Sequence, residues 1–135
     1  MALPTPTDQV REAFRGEDDR RMEFLKERIA PDARVHVPDV LPFDDLRGFD
    51  GLTTVVGALL ERSGNTFEVV YLDVIGGGDI VAVVNSAQAH RGDDHISYNN
   101  LWTFRFAGDA IAEVWLTPSV PGTEIVRFFG FGDEG

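Results

Sequence analysis

Two predicted strands and the turn between them decide the fold of this chain: IVAVVNSAQAH at 80–90, RGDD at 91–94 and HISYNNLWTFRF at 95–106. Apolar and polar residues alternate in both runs, which is the period of a β-strand with one covered face. The turn contains a glycine and two aspartates, residues that favour tight hairpin connections. Pairing His90 with His95 across this turn places the two strands in register as an antiparallel hairpin.

This register divides the side chains into a nearly dry face and a more polar one. The dry face carries Val81, Val83, Asn85, Ala87 and Ala89 opposite Phe104, Trp102, Asn100, Tyr98 and Ile96. Helices are therefore expected to cover it. Asn85 and Asn100 lie directly opposite each other there, beside Tyr98 and Trp102. Their amides either bond to each other or to free backbone groups, or they orient a small ligand in a mostly apolar pocket.

Hairpin-sized connections extend this pair into an antiparallel meander. The expected strands are Phe67 to Ile75, Ile80 to His90, His95 to Phe106 and Ile111 to Thr117, with turns at 76–79, 91–94 and 107–110. Glycine and aspartate occur in every one of these turns, as hairpins with positive-φ positions require.

The residues before position 65 follow a helical period instead. The expected helices carry Val10, Ala13 and Phe14, then Met22, Leu25 and Ile29, then Leu52, Val55, Val56, Leu59 and Leu60. Ala30-Pro31 should end the second helix, and a short strand is expected at Arg34 to Pro38. Asp50 should cap the third helix, which Ser63-Gly64 ends. Helices followed by a meander predict an α+β fold, with the N-terminal helices packed in a curved antiparallel sheet.

Length and charge narrow the possible functions. The 135 residues predict one domain over residues 1–135. The 12 Lys and Arg against 23 Asp and Glu give a formal net charge of −11, and such a surface repels phosphate, which excludes nucleic acid as a partner. No membrane partner is expected either, since the longest apolar run is far shorter than the roughly 20 residues of a span. The lack of cysteine excludes disulfides and zinc–thiolate sites and favours the cytoplasm.

Several segments resemble one family in order and spacing: DARVHVP at 32–38, LRGFDGL at 46–52, GDIVAVV at 78–84, WTFRF at 102–106 and IAEVW at 111–115. They resemble the SnoaL-like and ketosteroid-isomerase-like branch of the NTF2-like superfamily. The resemblance implies a cone of curved sheet around helices, an apolar pocket at its open end and frequent homodimerisation. It also leaves isomerases, epoxide hydrolases, polyketide cyclases, binding proteins and association domains as functions, since a fold does not fix a function.

The catalytic positions of that family carry the wrong residue types here. Steroid isomerases of this type place a Tyr, an Asp base and a protonated acid where this sequence has Ala13 or Phe14, Val37 and Trp102. SnoaL-type cyclases place an Asp where it has Leu116. Epoxide hydrolases place an Asp-Arg-Asp relay where it has Val83, Asn85 and Leu116. None of these side chains can act as a carboxylate base.

The resemblance therefore implies a pocket lining more clearly than a catalytic set. The expected lining and ligand-binding residues are Asn85, Tyr98, Asn100, Trp102, Val37, Phe14 and Leu116.

His36 is the strongest remaining candidate for a catalytic acid or base. The family's hydrolases place a water-holding Asn in this strand next to the Pro, and an imidazole with an ordinary pKa near ~6.5 can exchange protons at neutral pH. Alternation puts His36 and Val37 on opposite faces of the strand, however, so that one of the two points away from the cavity. A structural role for His36 therefore stays open.

The orientation of Glu113 depends on whether a bulge follows the last hairpin turn. A regular two-residue Gly108-Asp109 turn would set Ile111, Glu113 and Trp115 on the covered face. A bulge would send Glu113 outward and bring Val114 and Leu116 inward. The family resemblance favours the bulge and a solvated or structural Glu113.

Two imidazoles and two carboxylates crowd the turn at His90, Asp93, Asp94 and His95, which suggests zinc. The spacing matches no helix-borne metal motif, and the turn lies at the far edge of the hairpin. Adventitious binding is the expected interpretation, with no metal site and no cofactor.

The sequence favours a cofactor-free domain that binds an apolar small molecule. An alternative is an isomerase, epoxide hydrolase or polyketide-type cyclase with His36 as acid or base, and another is an association domain. A homodimer is expected, because pairing Ile75 with Ile80 leaves Phe67, Val69 and Tyr71 on an exposed outer face. The apolar tail that contains Ile125 and three phenylalanines is expected to dock, to close over the cavity mouth or to cross a dimer interface.

Overall fold

The computed structural model describes residues 4–131 and has the α+β architecture expected from the sequence. The elements are α1 (Pro6–Phe14), α2 (Asp18–Arg28), β1 (Ile29–His36), α3 (Gly48–Arg62), β2 (Glu68–Gly77), β3 (Ile80–Arg91), β4 (Asp94–Ala107), β5 (Ala110–Pro118) and α4 (Gly122–Phe129). The five strands form one sheet in the order β1-β5-β4-β3-β2. No helix within residues 4–131 is long and apolar enough to cross a membrane.

The predicted register of β3 and β4 is confirmed. His90 pairs with His95, and Asn85 lies opposite Asn100. The face predicted to be covered is buried from Val81 to Ala89 on alternate residues, while the residues between them are half-buried. We call this buried side of the sheet the inner face and the opposite side the outer face.

All three hairpin turns consist of the same two residues, Gly-Asp. The strand ladders close at Gly77 with Ile80, Arg91 with Asp94, and Ala107 with Ala110. The glycine in each turn has a φ between 60° and 63°, whereas the aspartate does not have a positive φ. Glycine at the first central position with positive φ is the pattern of a type II′ turn, whose twist matches that of the paired strands. The connections at 76–79, 91–94 and 107–110 are thus all shorter than predicted.

The bulge expected in β5 is present. The ladder shifts between Arg105 and Phe106, so that Phe106 pairs with Ile111 while Arg105 pairs with Glu113. Ala112 is the extra residue. Val114 therefore faces inward and Glu113 faces outward, as the bulged alternative predicted.

The sheet is mixed rather than wholly antiparallel. β1 pairs with β5 in parallel, with Arg34 opposite Glu113 and His36 opposite Trp115. β1 also begins at Ile29, which the sequence had assigned to the second helix, and ends at His36 rather than Pro38. Pro31 explains the early start, because a proline restricts the residue before it to extended conformations and cannot continue a helix.

α3 begins three residues earlier than predicted. Arg47 occupies the N-cap position, and Asp50 lies in the first turn of the helix rather than at its cap. The strand-like pairing of Arg47 with Arg34 ends the loop there. Gly48 then turns the chain with a φ of 63°.

The predicted register of β2 is wrong. Ile75 pairs with Ala82 instead of Ile80, and a bulge lies between Tyr71 and Asp73. The bulge reverses the faces of the first half of the strand. Phe67, Val69 and Tyr71 therefore lie on the inner face and not on the outer one. The outer face instead exposes Val70, Leu72, Ile75, Ile80 and Leu101.

The apolar tail contains a helix, α4, that the sequence analysis did not predict. Ile125 and Phe129, four residues apart, are buried on the side of α4 that faces the protein. Gly130 ends the helix in the left-handed conformation at a φ of 75°. Of the three arrangements expected for this tail, the structure therefore shows docking against the protein.

The inner face and the helices bury a continuous apolar core, and Phe104 lies at its centre with no exposed surface. Truncation of Phe104 to alanine should lower the free energy of unfolding by about 3–5 kcal/mol, because it removes buried surface and leaves a cavity. The same truncation at half-buried Phe24, which packs under Arg28, should cost about 1 kcal/mol or less. Urea unfolding of both variants compares them. Equal losses would contradict the assignment of Phe104 to the core centre.

Candidate ligand cavity

A cavity of about 40 Å³ lies between the inner face of the sheet and α3. Its lining comes from α3, the segment after β1, the residue just before β2, the strands β4 and β5, and α4. The lining residues are Val37, Pro38, Leu41, Val55, Val56, Leu59, Phe67, Tyr98, Asn100, Trp102, Leu116, Pro118 and Ile125. Five of the residues predicted to line a pocket are among them: Val37, Tyr98, Asn100, Trp102 and Leu116. No charged side chain among the described residues lines this cavity.

Tyr98 brings a hydroxyl group to the cavity. The residue is buried on β4, and burial raises the pKa of its phenol to about 12. At neutral pH the phenol is therefore protonated. It can donate or accept a hydrogen bond, but it cannot serve as a base.

The side chain of Asn100 forms hydrogen bonds with Trp102 and with the neighbouring strand β5. The surroundings of the Asn100 amide orient its nitrogen toward the carbonyl of Thr117, at 2.9 Å, and its oxygen toward the indole Nε1 of Trp102, at 3.3 Å. The Asn100 side chain thus links β4 to β5. Although Asn100 lies opposite Asn85, its amide bonds elsewhere, which is the structural alternative considered for this pair.

Asn85 lies behind the cavity rather than in its lining. The side chain is completely buried. Its Nδ2 donates to the carbonyl of Val83 at 3.3 Å, and its Oδ1 has no hydrogen-bond partner among the described residues. An unsatisfied buried acceptor costs about 1–3 kcal/mol. Asn85 is thus a buried, half-satisfied amide outside the lining of this cavity, and its role in ligand binding stays a prediction.

His36 is the one of the pair His36 and Val37 that points away from the cavity, and its catalytic role stays a prediction. On the outer face, Nε2 of His36 lies 2.5 Å from Oε2 of Glu113, and the imidazole stacks on Trp115 with ring centroids 5.3 Å apart. Arg105 donates to the other oxygen of Glu113 at 3.1 Å. The neighbouring residue Val37 is the one that lines the cavity. Alternation along β1 explains both positions.

Phe14 is also absent from the cavity lining. It is buried at the other end of the inner face, where its ring lies 5.0 Å from Tyr71 and 6.5 Å from Phe104. The two sites are apart because α1 covers β2 and β3 while the cavity lies under α3. A ligand-binding role for Phe14 stays a prediction.

The side chains of His90 and His95 contact each other at the turn. Their imidazole rings are tilted by 33° with centroids 4.6 Å apart. Within residues 4–131, no group of three or more His, Cys, Asp or Glu side chains is placed to hold a metal ion.

The sequence analysis missed the parts of the lining that come from α3, α4 and the loop after β1. Ile125 could have been found from its spacing to Phe129, since apolar residues four apart before a glycine are typical of a short amphipathic helix. Leu41 and Pro38 lie in a loop with no period, and no local signal marks them.

The comparisons with known proteins agree on the fold. The model of the SnoaL-like domain family matches residues 10–114. The protein Bal32a from a soil-derived mobile gene cassette is 19% identical, with a TM-score of 0.72, over 91% of this chain and 95% of that one. IdmH of Streptomyces antibioticus, a candidate polyketide cyclase, is 18% identical, with a TM-score of 0.65, over 93% and 99%. TerC, crystallised with polyporic acid, is 15% identical, with a TM-score of 0.68, over 93% and 99%. Among curated proteins no match was found.

The carboxylate of Glu113, on the outer face, should make the stability of the protein depend on pH. The hydrogen bond from His36 and, to a smaller extent, Arg105 hold the pKa of Glu113 below its ordinary value. The unfolded chain therefore binds this proton more readily, so the stabilisation is present above the unfolded pKa of about 4.3 and is lost as the pH falls through the lower folded pKa.

Glu113→Gln should consequently lower stability at pH 7 and flatten the decline in stability on acidification. Urea unfolding at several pH values between 7 and 3 measures both effects. Glu61→Gln, at an exposed position of α3, is the control and should leave the profile unchanged. A Glu113→Gln profile parallel to that of the unmodified protein would contradict the assigned pair.

Proposed function

Since this chain belongs to the SnoaL-like domain family, we propose that residues 1–135 form one domain that binds a small, uncharged, mainly apolar molecule in the cavity under α3. The observation that carries the proposal is the chemistry of the lining. Thirteen residues surround the cavity; eleven are aliphatic, proline, phenylalanine or tryptophan, and the other two are Tyr98 and Asn100. Such a surface favours an apolar ligand and a few oriented hydrogen bonds.

The same lining supports binding in preference to acid–base catalysis. A general acid or base works best when its pKa lies near the operating pH. No lining side chain meets this condition, because burial raises the pKa of the Tyr98 phenol to about 12. His36, the acid or base of the enzyme alternative, lies on the other side of the sheet. An isomerase, hydrolase or cyclase acting in the cavity would lack a proton carrier there.

The hydroxyl of Tyr98 is the group that we expect to orient the ligand. Asn100 is already committed to Thr117 and Trp102, whereas no hydrogen bond of Tyr98 to a described residue is seen. A ligand carbonyl, ether or hydroxyl oxygen would accept from this phenol. The ligand class is thus a neutral compound with at least one oxygen acceptor. Polyporic acid, with which TerC was crystallised, supports a small-molecule role for this fold.

The remaining features of the proposal are a cofactor-free site, a homodimer and a location in the cytoplasm. The absence of cysteine from the chain suits a reducing compartment. The homodimer rests on the outer face, where Val70, Leu72 and Ile75 are each about half exposed. A patch of this kind on one sheet face is typical of a surface that a second subunit covers.

The cavity proposal is tested by a thermal-shift screen with steroid enones, polycyclic aromatic ketones and terpene epoxides, followed by mass spectrometry of each mixture. A binder at a hundredfold excess over its Kd should stabilise the protein by about 2.7 kcal/mol. Conversion of a stabilising compound would contradict the binding role and favour an enzyme. Silence across the panel would leave the association domain as the function.

Tyr98→Phe should weaken binding of an oxygen-containing hit about threefold to tenfold, because it removes one hydrogen bond to the ligand. Tyr71→Phe is the matched control, since the chain has two tyrosines and Tyr71 packs against Phe14 on the far side of Trp102. Calorimetry of both variants gives the two Kd values. An equal loss in both variants would contradict the role of the Tyr98 hydroxyl.

The homodimer is tested by Leu72→Glu, which places a charge at an exposed position of the outer face. This variant should sediment as a monomer, because burying an unpaired carboxylate in an interface is unfavourable. Val40→Glu, on a loop away from the sheet and also exposed, is the control and should leave the mass unchanged. A monomeric unmodified protein would overturn the proposal.

A further inference from the structure

We propose that residues 120–131 form a lid over the cavity, hinged after Ser119 and held closed by Arg91 and Arg62 at the C-terminal end of α4. The inference rests on the proposed function, because it concerns how a ligand reaches the same cavity. It starts from the size of the site. The 40 Å³ of the cavity hold about three or four water molecules at about 10–15 Å³ each, whereas a benzene-binding cavity in another protein measures about 150 Å³.

A ligand of several carbon atoms can therefore be fully buried in the cavity only if one of its walls moves. Most walls are fixed by the sheet or by α3, whose backbones are hydrogen-bonded along their length. The wall made by Ile125 is different, because it belongs to the last helix of the described chain. The neighbouring wall is the loop after β1, and Gly122 packs directly on Pro38 and Val40 of that loop.

Within the described chain, the residue just before the segment 120–131 anchors it to the sheet. Ser119 is tied to β4, since its backbone N–H donates to the carbonyl of Asn99 at 2.7 Å and its hydroxyl accepts from the Asn99 N–H at 3.0 Å. Beyond Ser119, within the described chain, no backbone hydrogen bond joins this segment to a residue before it. A hinge at Val120-Pro121 would therefore break no strand ladder.

The other end of α4 is held by two arginine side chains. Nη1 of Arg91, at the end of β3, donates to the carbonyl of Phe128 at 2.7 Å. Nη1 of Arg62, at the end of α3, donates to the carbonyl of Gly130 at 3.0 Å. The guanidinium carbon of Arg62 lies over the ring of Phe131, 4.4 Å from its centroid. Both cations meet the unpaired carbonyls of a helix C-terminus, where the helix dipole also favours positive charge.

Gly130 fits this arrangement for two reasons. Its φ of 75° is strained for other residues, and a Cβ at this position would lie 2.7 Å from Nη1 of Arg91. The absence of a side chain at Gly130 thus leaves room for the guanidinium group of Arg91. The held end also buries Phe129 completely, so that release of the arginines would free the apolar side of the helix together with Ile125.

The lid is tested by access of acrylamide to Trp102, which lies in the cavity wall and is buried. The chain has two tryptophans, so Trp115→Phe leaves Trp102 as the single emitter. In this background Arg91→Ala should raise the quenching constant about threefold to tenfold, the effect of losing a charged hydrogen bond on the population of the open state. Arg127→Ala is the matched control, because Arg127 pairs with Glu124 on α4 itself and should leave the constant unchanged.

Hydrogen exchange provides a second measurement that does not depend on tryptophan. In Arg91→Ala, amides of residues 122–129 should exchange about threefold to tenfold faster, while amides of β3 and β4 keep their rates. Equal quenching and equal exchange in Arg91→Ala and Arg127→Ala would overturn the lid. Faster exchange throughout the sheet would also overturn it, because it would mean that Arg91 stabilises the whole fold.

These measurements need no ligand, so failure of the lid and failure of the proposed function are separable. The association rate of N-phenyl-1-naphthylamine, a neutral fluorescent probe, tests the link between them. If the probe binds, its association rate should rise in Arg91→Ala by the same factor as the quenching constant. A probe that enters both variants at one rate would overturn the lid as the access route.

Discussion

The pairing of β3 with β4 is the constraint on which the rest of the structure depends. Side chains alternate across a strand, so a shift by one residue would turn Trp102 and Phe104 to solvent and bring polar side chains into the core. The turn at Gly92-Asp93 fixes this register at one end. β2 and β5 pair with the two sides of the hairpin, and β1 pairs with β5. Every face in the sheet, including the cavity wall on β4, follows from this one alignment.

The features that the sequence predicts are those decided by neighbouring residues along the chain. Alternation and the Gly-Asp turns fix the meander, and the inward position of Val114 follows from one extra residue in β5. The parallel contact of β1 joins residues about 80 positions apart, and no local pattern records it. The bulge before Asp73 leaves no signal in the sequence either.

The residues of the candidate site that lie on regular strands could be predicted from the sequence, and those that lie elsewhere could not. Tyr98, Asn100 and Trp102 follow from the alternation of β4, whereas Ile125 and Leu41 come from segments whose positions depend on packing. His36 shows the limit of a single-strand argument. Alternation says that His36 and Val37 face opposite sides, but the choice is made by Glu113, Arg105 and Trp115 on two other strands. As a result, the titratable side chains of His36 and Glu113 lie on the outer face, and the apolar cavity lies on the inner face.

The unsatisfied amide of Asn85 has a consequence for the evolution and engineering of this chain. A leucine has nearly the same shape and no polar atom to leave unpaired, so the fold itself would gain stability from it. The chain thus carries, in the middle of β3, a fully buried residue whose unpaired oxygen lowers the stability of the fold. Natural sequences retain such residues where stability is not the property under selection. A stabilised version of this protein would start at position 85, and whatever it lost in exchange would reveal what the amide is for.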